Sequence, residues 1–232
     1  MRIAGSTALV TGAGRGLGAV LVDALLARGA ATVYAGARDP RSVAHQDPRV
    51  IPLLLDVTEP STVRAAAERA GDVDLLINNA GVAGNGSLLT GDPERARAEM
   101  ETNFWGPVSV LRAFAPVLAR NGGGAVVNVL SALSWLSAPF TASYSASKAA
   151  AWSFTGSARA ELRARGTHVV GVHLGYMDTD MVAGLDVPKI APEDVARQLL
   201  DAVESGAEEV LADLPARQAK VALSGEPAGL EL

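Results

Sequence analysis

The stretch Thr7-Ala8-Leu9-Val10-Thr11-Gly12-Ala13-Gly14-Arg15-Gly16-Leu17-Gly18 decides the fold. A short apolar run ends in a glycine-rich turn, after which apolar residues recur with helical spacing. Glycines allow a tight turn and let the backbone approach a phosphate group at the positive end of the helix. Such a turn can be purely structural, but its place after an N-terminal strand favours nucleotide binding.

Similar apolar runs follow along the chain, and helical patterns separate them. The predicted strands are 7–10, 31–37, 49–55, 73–77, 125–130, 167–174 and 208–212. The predicted helices are 17–25, 61–70, 92–118 with an interruption at Gly106-Pro107, 142–165, 192–203 and 215–223. The strands are continuously apolar, which is typical of a parallel sheet covered on both faces. This alternation predicts an α/β fold with a doubly wound parallel sheet of about seven strands and helices on both faces. With no internal repeat or linker, residues 1–232 are predicted to form a single domain.

Composition narrows the class of protein. The 232 residues are 49% hydrophobic and carry a net charge of −5 without a basic block, which argues against nucleic acid or an anionic membrane as partner. The absence of cysteine excludes disulfides, thiol nucleophiles and cysteine-ligated metals. His45, His168 and His173 show no ligand spacing, so no metal site is predicted. Without a signal-type segment or a membrane-length apolar run, we expect a cytoplasmic location.

Tyr144 and Lys148 lie four residues apart in Tyr144-Ser145-Ala146-Ser147-Lys148, so they are neighbours on one face of a helix. A free tyrosine, with a pKa of about 10, is a poor acid or base at neutral pH. A nearby ammonium group stabilises the phenolate and lowers that pKa. The pair by itself is weak evidence, because Tyr and Lys often lie four residues apart on an ordinary solvated helix face, so its meaning depends on the other motifs.

Three motifs together resemble one family. Thr11-Gly12-x-x-x-Gly16-x-Gly18, Asn78-Asn79-Ala80-Gly81 and Tyr144-x-x-x-Lys148 occur in the order and spacing of the short-chain dehydrogenase/reductases of the NADP(H)-preferring type. The resemblance extends from the first strand to about Thr179. It implies a three-layer Rossmann-type fold and an oxidoreductase that interconverts a ketone or aldehyde and an alcohol by hydride transfer.

The resemblance also implies a catalytic set. Ser131, thirteen residues before Tyr144, would bond to the substrate oxygen, and Tyr144 would be the general acid or base. Lys148 would lower the pKa of Tyr144 and bind the cofactor ribose, and Asn103 would order a water near the lysine. Ser131 and Asn103 are individually ordinary residues. Ser134 departs from the family pattern, because a glycine is frequent at that position.

The cofactor contacts implied by the resemblance lie at the ends of several strands. They are Thr11, Gly12, Arg15, Gly16, Leu17, Gly18, Arg38, Asp56, Val57, Asn79, Ala80, Gly81, Tyr144, Lys148, Gly175 and Thr179.

The choice between NADP and NAD rests on the end of the second strand. Ala37 stands where NAD-preferring members carry an acid, and Arg15 and Arg38 suit a 2′-phosphate. These arginines are alternatively plain surface residues, and Asp39 is a rival acid for NAD. Because Asp39-Pro40 has the pattern of a helix cap, NADP(H) is the predicted cofactor.

The substrate pocket is predicted to be apolar and partly enclosed, which suits a small or hydrophobic carbonyl compound. The candidate wall residues, equally compatible with the core, are Trp135, Phe140, Tyr176, Met181, Val182 and Leu185. The resemblance implies a homodimer or homotetramer paired through helices around 96–118 and 142–165. Two alternatives stay open: a non-catalytic NADP-sensing regulatory protein of the same fold, and a related reaction such as epimerisation or dehalogenation.

Overall fold

The computed structural model describes residues 1–84 and 86–225. The strands are β1 (Thr7–Thr11), β2 (Thr32–Ala37), β3 (Val50–Leu54), β4 (Leu75–Asn78), β5 (Gly124–Val129), β6 (Thr167–His173) and β7 (Glu209–Leu211). The α-helices are α1 (Gly16–Ala27), α2 (Pro60–Arg69), α3 (Pro93–Met100), α4 (Gly106–Arg120), α5 (Ala142–Arg163), α6 (Pro192–Ser205) and α7 (Leu214–Ala222). A π-helical segment, Glu101–Trp105, joins α3 to α4.

The strands form one parallel sheet in the order β3-β2-β1-β4-β5-β6-β7. The chain first builds outward from β1 through β2 to β3, and then returns to add β4 on the other side of β1. The loops that follow β1 and β4 therefore diverge at the carboxyl edge of the sheet, where doubly wound folds bind their ligands. The seven-stranded doubly wound sheet confirms the predicted fold class.

Alternate residues of β1 point to opposite faces of the sheet, so one strand contributes to two cores. Val10 packs in the cluster that contains Leu21 of α1 and Leu199 of α6. Leu9 packs in the cluster that contains Phe114 of α4 and Leu162 of α5. Burial of each side chain of this kind stabilises the folded state by about 1.5–3 kcal/mol relative to leaving it exposed. Helices thus cover both faces and give the predicted three layers.

The predicted boundaries differ from the observed ones by one or two residues at most ends, but the expected interruption at Gly106-Pro107 was wrong. The helix widens over Glu101–Trp105, and the N–H of Gly106 donates to the Glu101 carbonyl across the π turn. Pro107 then lies in the first turn of α4, where the missing N–H of proline does no harm. A side chain at Gly106 would collide with Val57, since a Cβ there would lie 2.7 Å from its Cγ2.

Within residues 1–84 and 86–225, no helix is both long and apolar enough to cross a bilayer. No group of three or more histidine or acidic side chains in the same ranges is placed to hold a metal ion.

Candidate active site

The turn after β1 is tied directly to the loop after β4. The Thr11 hydroxyl accepts hydrogen bonds from the N–H groups of Asn79 and Ala80, both at 3.0 Å. The Asn79 amide donates in return to the Thr11 carbonyl at 2.9 Å. These bonds cross the point where the strand order reverses. They hold the two cofactor motifs predicted from the sequence as one rigid surface.

The glycines of the turn meet two different needs. Gly12 and Gly16 adopt left-handed backbone angles, with φ of +67° and +54°. Gly18 permits close contact, because a Cβ there would lie 2.1 Å from the Gly12 carbonyl oxygen. Among the described residues, no acidic side chain lies in the first turn of α1 and no side chain caps it. Its N–H groups therefore suit the pyrophosphate of a dinucleotide.

At the end of β2, the residues that bear on the choice of cofactor have different surroundings. Ala37 is buried and Arg38 is exposed. The Asp39 carboxylate accepts from the Arg41 backbone N–H at 3.0 Å and from its Nε at 2.9 Å, and caps a short 3₁₀ helix. These bonds lower the pKa of Asp39. They confirm the interpretation of Asp39 as a cap.

Arg15 lies at the N-terminal boundary of α1, with an exposed side chain. Its Nη1 is 3.7 Å from Oδ2 of Asp180, in a solvent-exposed pair. Such pairs contribute little to stability, about 0–1 kcal/mol. The Arg15 guanidinium is therefore readily redirected towards an anionic ligand beside the turn.

After β3, the Asp56 carboxylate accepts hydrogen bonds from within its own turn. Its Oδ1 accepts from the Thr58 hydroxyl at 2.7 Å and from the Thr58 N–H at 3.0 Å. Val57 is buried and packs against Gly106. The structure brings these two residues to the same carboxyl edge as the glycine turn.

Gly175 and Thr179 follow β6 and have different surroundings. The Gly175 N–H donates to Oδ2 of Asp213 at 2.7 Å, which anchors the start of α7. A Cβ at Gly16 would lie 3.5 Å from the Thr179 side chain, so Thr179 borders the glycine turn. Thr179 thus reaches the cofactor cradle, whereas the Gly175 N–H is already used.

Helix α5 presents Tyr144 and Lys148 on one face, one turn apart. The Lys148 Nζ lies 5.7 Å from the centre of the Tyr144 ring and donates to the Val129 carbonyl at 3.0 Å. An ammonium group has three N–H donors, so two remain for a ligand. A Cβ at Gly81 would lie 3.6 Å from this Nζ, which leaves the approach to it open.

Asn103 lies in the π segment and is buried. Its Oδ1 accepts from the Val82 N–H at 2.9 Å, and its Nδ2 donates to the Val82 carbonyl at 2.8 Å and to the Ser147 hydroxyl at 3.0 Å. Both amide hydrogens are therefore used. Asn103 clamps the loop after β4 to α5, and a Cβ built at Gly81 would lie close to both its Oδ1 (3.2 Å) and the Lys148 Nζ (3.6 Å). π segments often occur at functional sites.

Ser131 ends the β5 connection as the cap of a 3₁₀ turn. Its hydroxyl oxygen accepts from the Leu133 N–H at 3.1 Å, and its own N–H donates to the Ser134 hydroxyl at 3.3 Å. This reciprocal pair is a capping box, which explains why serine replaces the frequent glycine at position 134. The Ser131 hydroxyl can still donate its own proton, and it lies within hydrogen-bonding reach of the Tyr144 phenol.

His173 was missed as a site residue by sequence reasoning. It is 1% exposed, its Nδ1 lies 3.2 Å from the Ser131 carbonyl oxygen, and its ring stacks on Trp135. Desolvation lowers the pKa of His173 to about 4, so the imidazole is neutral near pH 7. Trp135 is 6% exposed and belongs to this buried stack, so the structure favours the core alternative for Trp135 over a role as pocket wall. The signal available in the sequence was a histidine at the end of a buried strand.

The electrostatics of the pair correct one expectation. Burial raises the pKa of Tyr144 to about 12; Ser131 opposes this shift and the Glu99 carboxylate adds to it. Desolvation lowers the pKa of Lys148 to about 8. In the chain without cofactor, the pKa of Tyr144 is therefore raised rather than brought towards neutrality, because burial disfavours the phenolate. Tyr144 is a protonated acid at pH 7.

Comparisons with known proteins agree with this geometry. A model of the short chain dehydrogenase family matches residues 6–189. A short chain dehydrogenase, pigC, of Monascus ruber is 33% identical over 201 residues, which are 79% of this chain and 66% of that protein. The 1-deoxy-11-beta-hydroxypentalenate dehydrogenase of Streptomyces exfoliatus is 34% identical, over 88% of this chain and 82% of its own.

A solved structure is similar over almost the whole chain. A short chain dehydrogenase from Burkholderia cenocepacia J2315, crystallised in complex with NADP, superposes with a TM-score of 0.95. It is 46% identical, and the match covers 99% of this chain and 97% of that one. Together with the glycine turn and the pairing of Tyr144 with Lys148, these matches show that this chain belongs to the short-chain dehydrogenase/reductase family.

Proposed function

We propose that this protein is an NADP(H)-dependent oxidoreductase that interconverts a ketone or aldehyde and the corresponding alcohol. The observation that carries the proposal is the convergence of Ser131, Tyr144 and Lys148 at the carboxyl edge of the sheet, beside the glycine turn. The NADP present in the similar Burkholderia structure supports the choice of cofactor.

The chain offers donors for three parts of the cofactor. The N-terminus of α1 suits the pyrophosphate. Two N–H groups of Lys148 are available for the ribose hydroxyls next to the nicotinamide. The exposed guanidiniums of Arg15 and Arg38 suit a 2′-phosphate, whereas the Asp39 carboxylate is held by Arg41 and cannot freely bind a 2′-hydroxyl.

When bound, NADPH supplies the hydride, which carries two electrons to the carbonyl carbon. Tyr144 gives its phenolic proton to the carbonyl oxygen, so that the C=O double bond becomes CH–OH. Ser131 donates a hydrogen bond to the same oxygen and orients it. The raised pKa of Tyr144 keeps the phenol protonated at neutral pH, which favours reduction over alcohol oxidation.

The test is Tyr144→Phe with a panel of ketones and aldehydes. We expect NADPH oxidation to fall by about 10²-fold or more, while NADPH binding, followed by its fluorescence, is retained. Tyr34→Phe is the matched control, because the Tyr34 hydroxyl bonds Asp72, outside the site. Undiminished turnover by Tyr144→Phe would reject the assigned acid. Wild type that binds NADPH but oxidises none with any carbonyl would favour the regulatory, non-catalytic alternative.

We also propose a homodimer or homotetramer and a cytoplasmic location. Trp105 at the end of the π segment is 50% exposed and Trp152 of α5 is 37% exposed, which is unusual for large aromatic side chains. Both lie on the elements expected to pair. Light scattering coupled to size-exclusion chromatography tests the oligomer, and a monomeric mass at micromolar concentration would reject it.

A further inference from the structure

Two buried amide side chains lie next to each other in the sheet, on the face that α5 covers. Asn78 at the end of β4 is the register partner of Asn128 in β5, so both side chains point to the same face. The Asn78 Nδ2 donates to Oδ1 of Asn128 at 2.9 Å. The amides are 4% and 3% exposed, although the neighbouring positions of this face are apolar. Together they form a polar contact inside an apolar layer.

Helix α5 meets these amides at Thr155, which is 1% exposed. The Asn128 Nδ2 donates to the Thr155 hydroxyl at 2.9 Å, and this hydroxyl donates in turn to the Ala151 carbonyl of its own helix at 2.7 Å. Gly171 of β6, the register partner of Asn128 on its other side, leaves room for the helix, because a Cβ there would lie 3.6 Å from Cγ2 of Thr155. Three side chains, the polar bridge of Asn78, Asn128 and Thr155, thus connect β4, β5 and α5.

The bond between Asn128 and Thr155 lies beside the candidate catalytic residues. The residue after Asn128 is Val129, whose carbonyl accepts from Nζ of Lys148 at 3.0 Å. Thr155 follows Lys148 by seven residues, which is about two turns along the same face of α5. Helix α5 is therefore bonded to the end of β5 at two points, just before the chain reaches Ser131. The two bonds set how far α5 lies along β5 and how it is rotated.

Apolar side chains would hold the layers together equally well. Buried amides lose their bonds with water, and Oδ1 of Asn78 has no hydrogen-bond partner within residues 1–84 and 86–225. Replacing a buried hydrogen-bonded pair by apolar groups of the same shape is often nearly neutral or stabilising. A directed hydrogen bond, however, selects one placement of a helix on a sheet, whereas apolar surfaces slide more easily. The polar bridge therefore has a use in placement rather than in stability.

We propose that Asn78, Asn128 and Thr155 are positioning residues for the reaction. Their bonds hold α5 in one place on the sheet, so that its tyrosine and lysine meet Ser131 in the geometry of proton transfer. Because Asn78 directly precedes the cofactor loop, the polar bridge also relates the helix to the cofactor. A misplacement of about 1 Å lowers a rate by about 10²-fold. This inference rests on the proposed oxidoreductase function and adds residues that act through the catalytic set.

The test replaces the whole polar bridge by apolar residues of similar branching, as the triple variant Asn78→Leu, Asn128→Leu and Thr155→Val. This leaves none of the three amide and hydroxyl groups unpaired, so the midpoint of denaturant unfolding should stay close to that of the wild type. We expect kcat for carbonyl reduction to fall by about tenfold or more, while the KM for NADPH changes little. A role in stability alone predicts wild-type kcat instead.

Single substitutions at Thr155 keep the test decisive if the triple variant does not fold. Thr155→Val removes the hydroxyl and should lower kcat, whereas Thr155→Ser retains the hydroxyl and should keep most of kcat. Ser157→Ala is the matched control on the same helix. The Ser157 hydroxyl also donates to a carbonyl of its own helix, that of Ser153 at 3.4 Å, but it is exposed. This control should keep the wild-type kcat.

The titration of Lys148, followed by ¹⁵N NMR of its Nζ, gives a readout without turnover. Burial holds the pKa of Lys148 at about 8, and in the triple variant we expect it to move towards 10.5, because a displaced helix exposes Nζ to water. Wild-type kcat in the triple variant, equal kcat in Thr155→Val and Thr155→Ser, or an unchanged Lys148 titration would overturn the positioning role. A wild type that reduces no carbonyl rejects the proposed function, and the Lys148 titration then still decides on the polar bridge.

Discussion

The imidazole of His173 stacks on the indole of Trp135, with ring centroids 3.8 Å apart and 18° between the planes. The same imidazole lies 3.2 Å from the carbonyl oxygen of Ser131, and the Nζ of Lys220 in α7 lies 4.9 Å from the centre of the Trp135 ring. The backbone of Ser131, a candidate catalytic residue, is therefore supported by His173 of β6, and Lys220 of α7 packs on the same Trp135. This support explains how a short loop can keep Ser131 in place.

We predict that His173→Phe keeps the stack but loses the contact with Ser131. The free energy of unfolding should fall by about 1 kcal/mol, and kcat should fall with little change in NADPH binding. Denaturant titration and steady-state kinetics measure the two effects. His168→Phe is the control, because its ring bonds the Ala207 carbonyl at an exposed position. Equal effects of the two substitutions on kcat would contradict a positioning role for His173.

The lowered pKa of Lys148 predicts a pH-dependent stability. In the folded chain this pKa is about 8, compared with 10.5 for a free lysine. Between these values the unfolded chain binds more protons, so stability rises with pH. Without cofactor, the free energy of unfolding of the wild type should rise from pH 8 to pH 10 by on the order of 2 kcal/mol more than that of Lys148→Met. Denaturant titrations across this range measure it. Parallel curves for the two proteins would show that Lys148 is not desolvated as the structure indicates.

One glycine-to-alanine substitution should weaken NADPH binding, and another should stabilise the fold. Gly18→Ala places a Cβ 2.1 Å from the Gly12 carbonyl oxygen, so the turn must open, and NADPH affinity should fall by about tenfold or more. Gly156→Ala meets no atom within 4 Å, lies inside α5, and should stabilise the protein by about 1 kcal/mol. Calorimetric titration measures the NADPH affinity of Gly18→Ala, and thermal unfolding measures the stability of Gly156→Ala. Unchanged NADPH affinity in Gly18→Ala would contradict the close packing of this turn.

The arginines at the cofactor edge should discriminate between the two nicotinamide cofactors. Arg15→Ala combined with Arg38→Ala should weaken the binding of NADPH by about tenfold or more. The affinity for NADH should stay nearly unchanged, because only NADPH carries the 2′-phosphate. The double variant Arg64→Ala with Arg69→Ala in α2 controls for the loss of positive charge. Dissociation constants for both cofactors measure the effect. A matching loss for NADH would reject the assigned phosphate contacts.

Much of the architecture follows from local pattern. Runs such as Ala8-Leu9-Val10 are apolar without alternation because β1 is buried on both faces, and that pattern survives without knowledge of the neighbouring strands. The starts of helices can be predicted where a proline or an acidic cap marks them, as at Asp92-Pro93. The π turn before Gly106 could not be predicted, because no side-chain cap marks its start and the contact of Gly106 with Val57 joins distant parts of the chain.

The sequence by itself determined the fold class, because apolar strands and glycines after a strand are local properties, and the resemblance of its motifs to the short-chain dehydrogenase/reductases supplied the candidate catalytic side chains. Only the tertiary structure decided their state. The pKa of Tyr144 rises rather than falls because burial depends on everything that surrounds it. The support at His173 and the bond between Asn128 and Thr155 likewise arise from contacts between residues distant in the chain. Such contacts are set by packing and leave no periodic trace in the sequence.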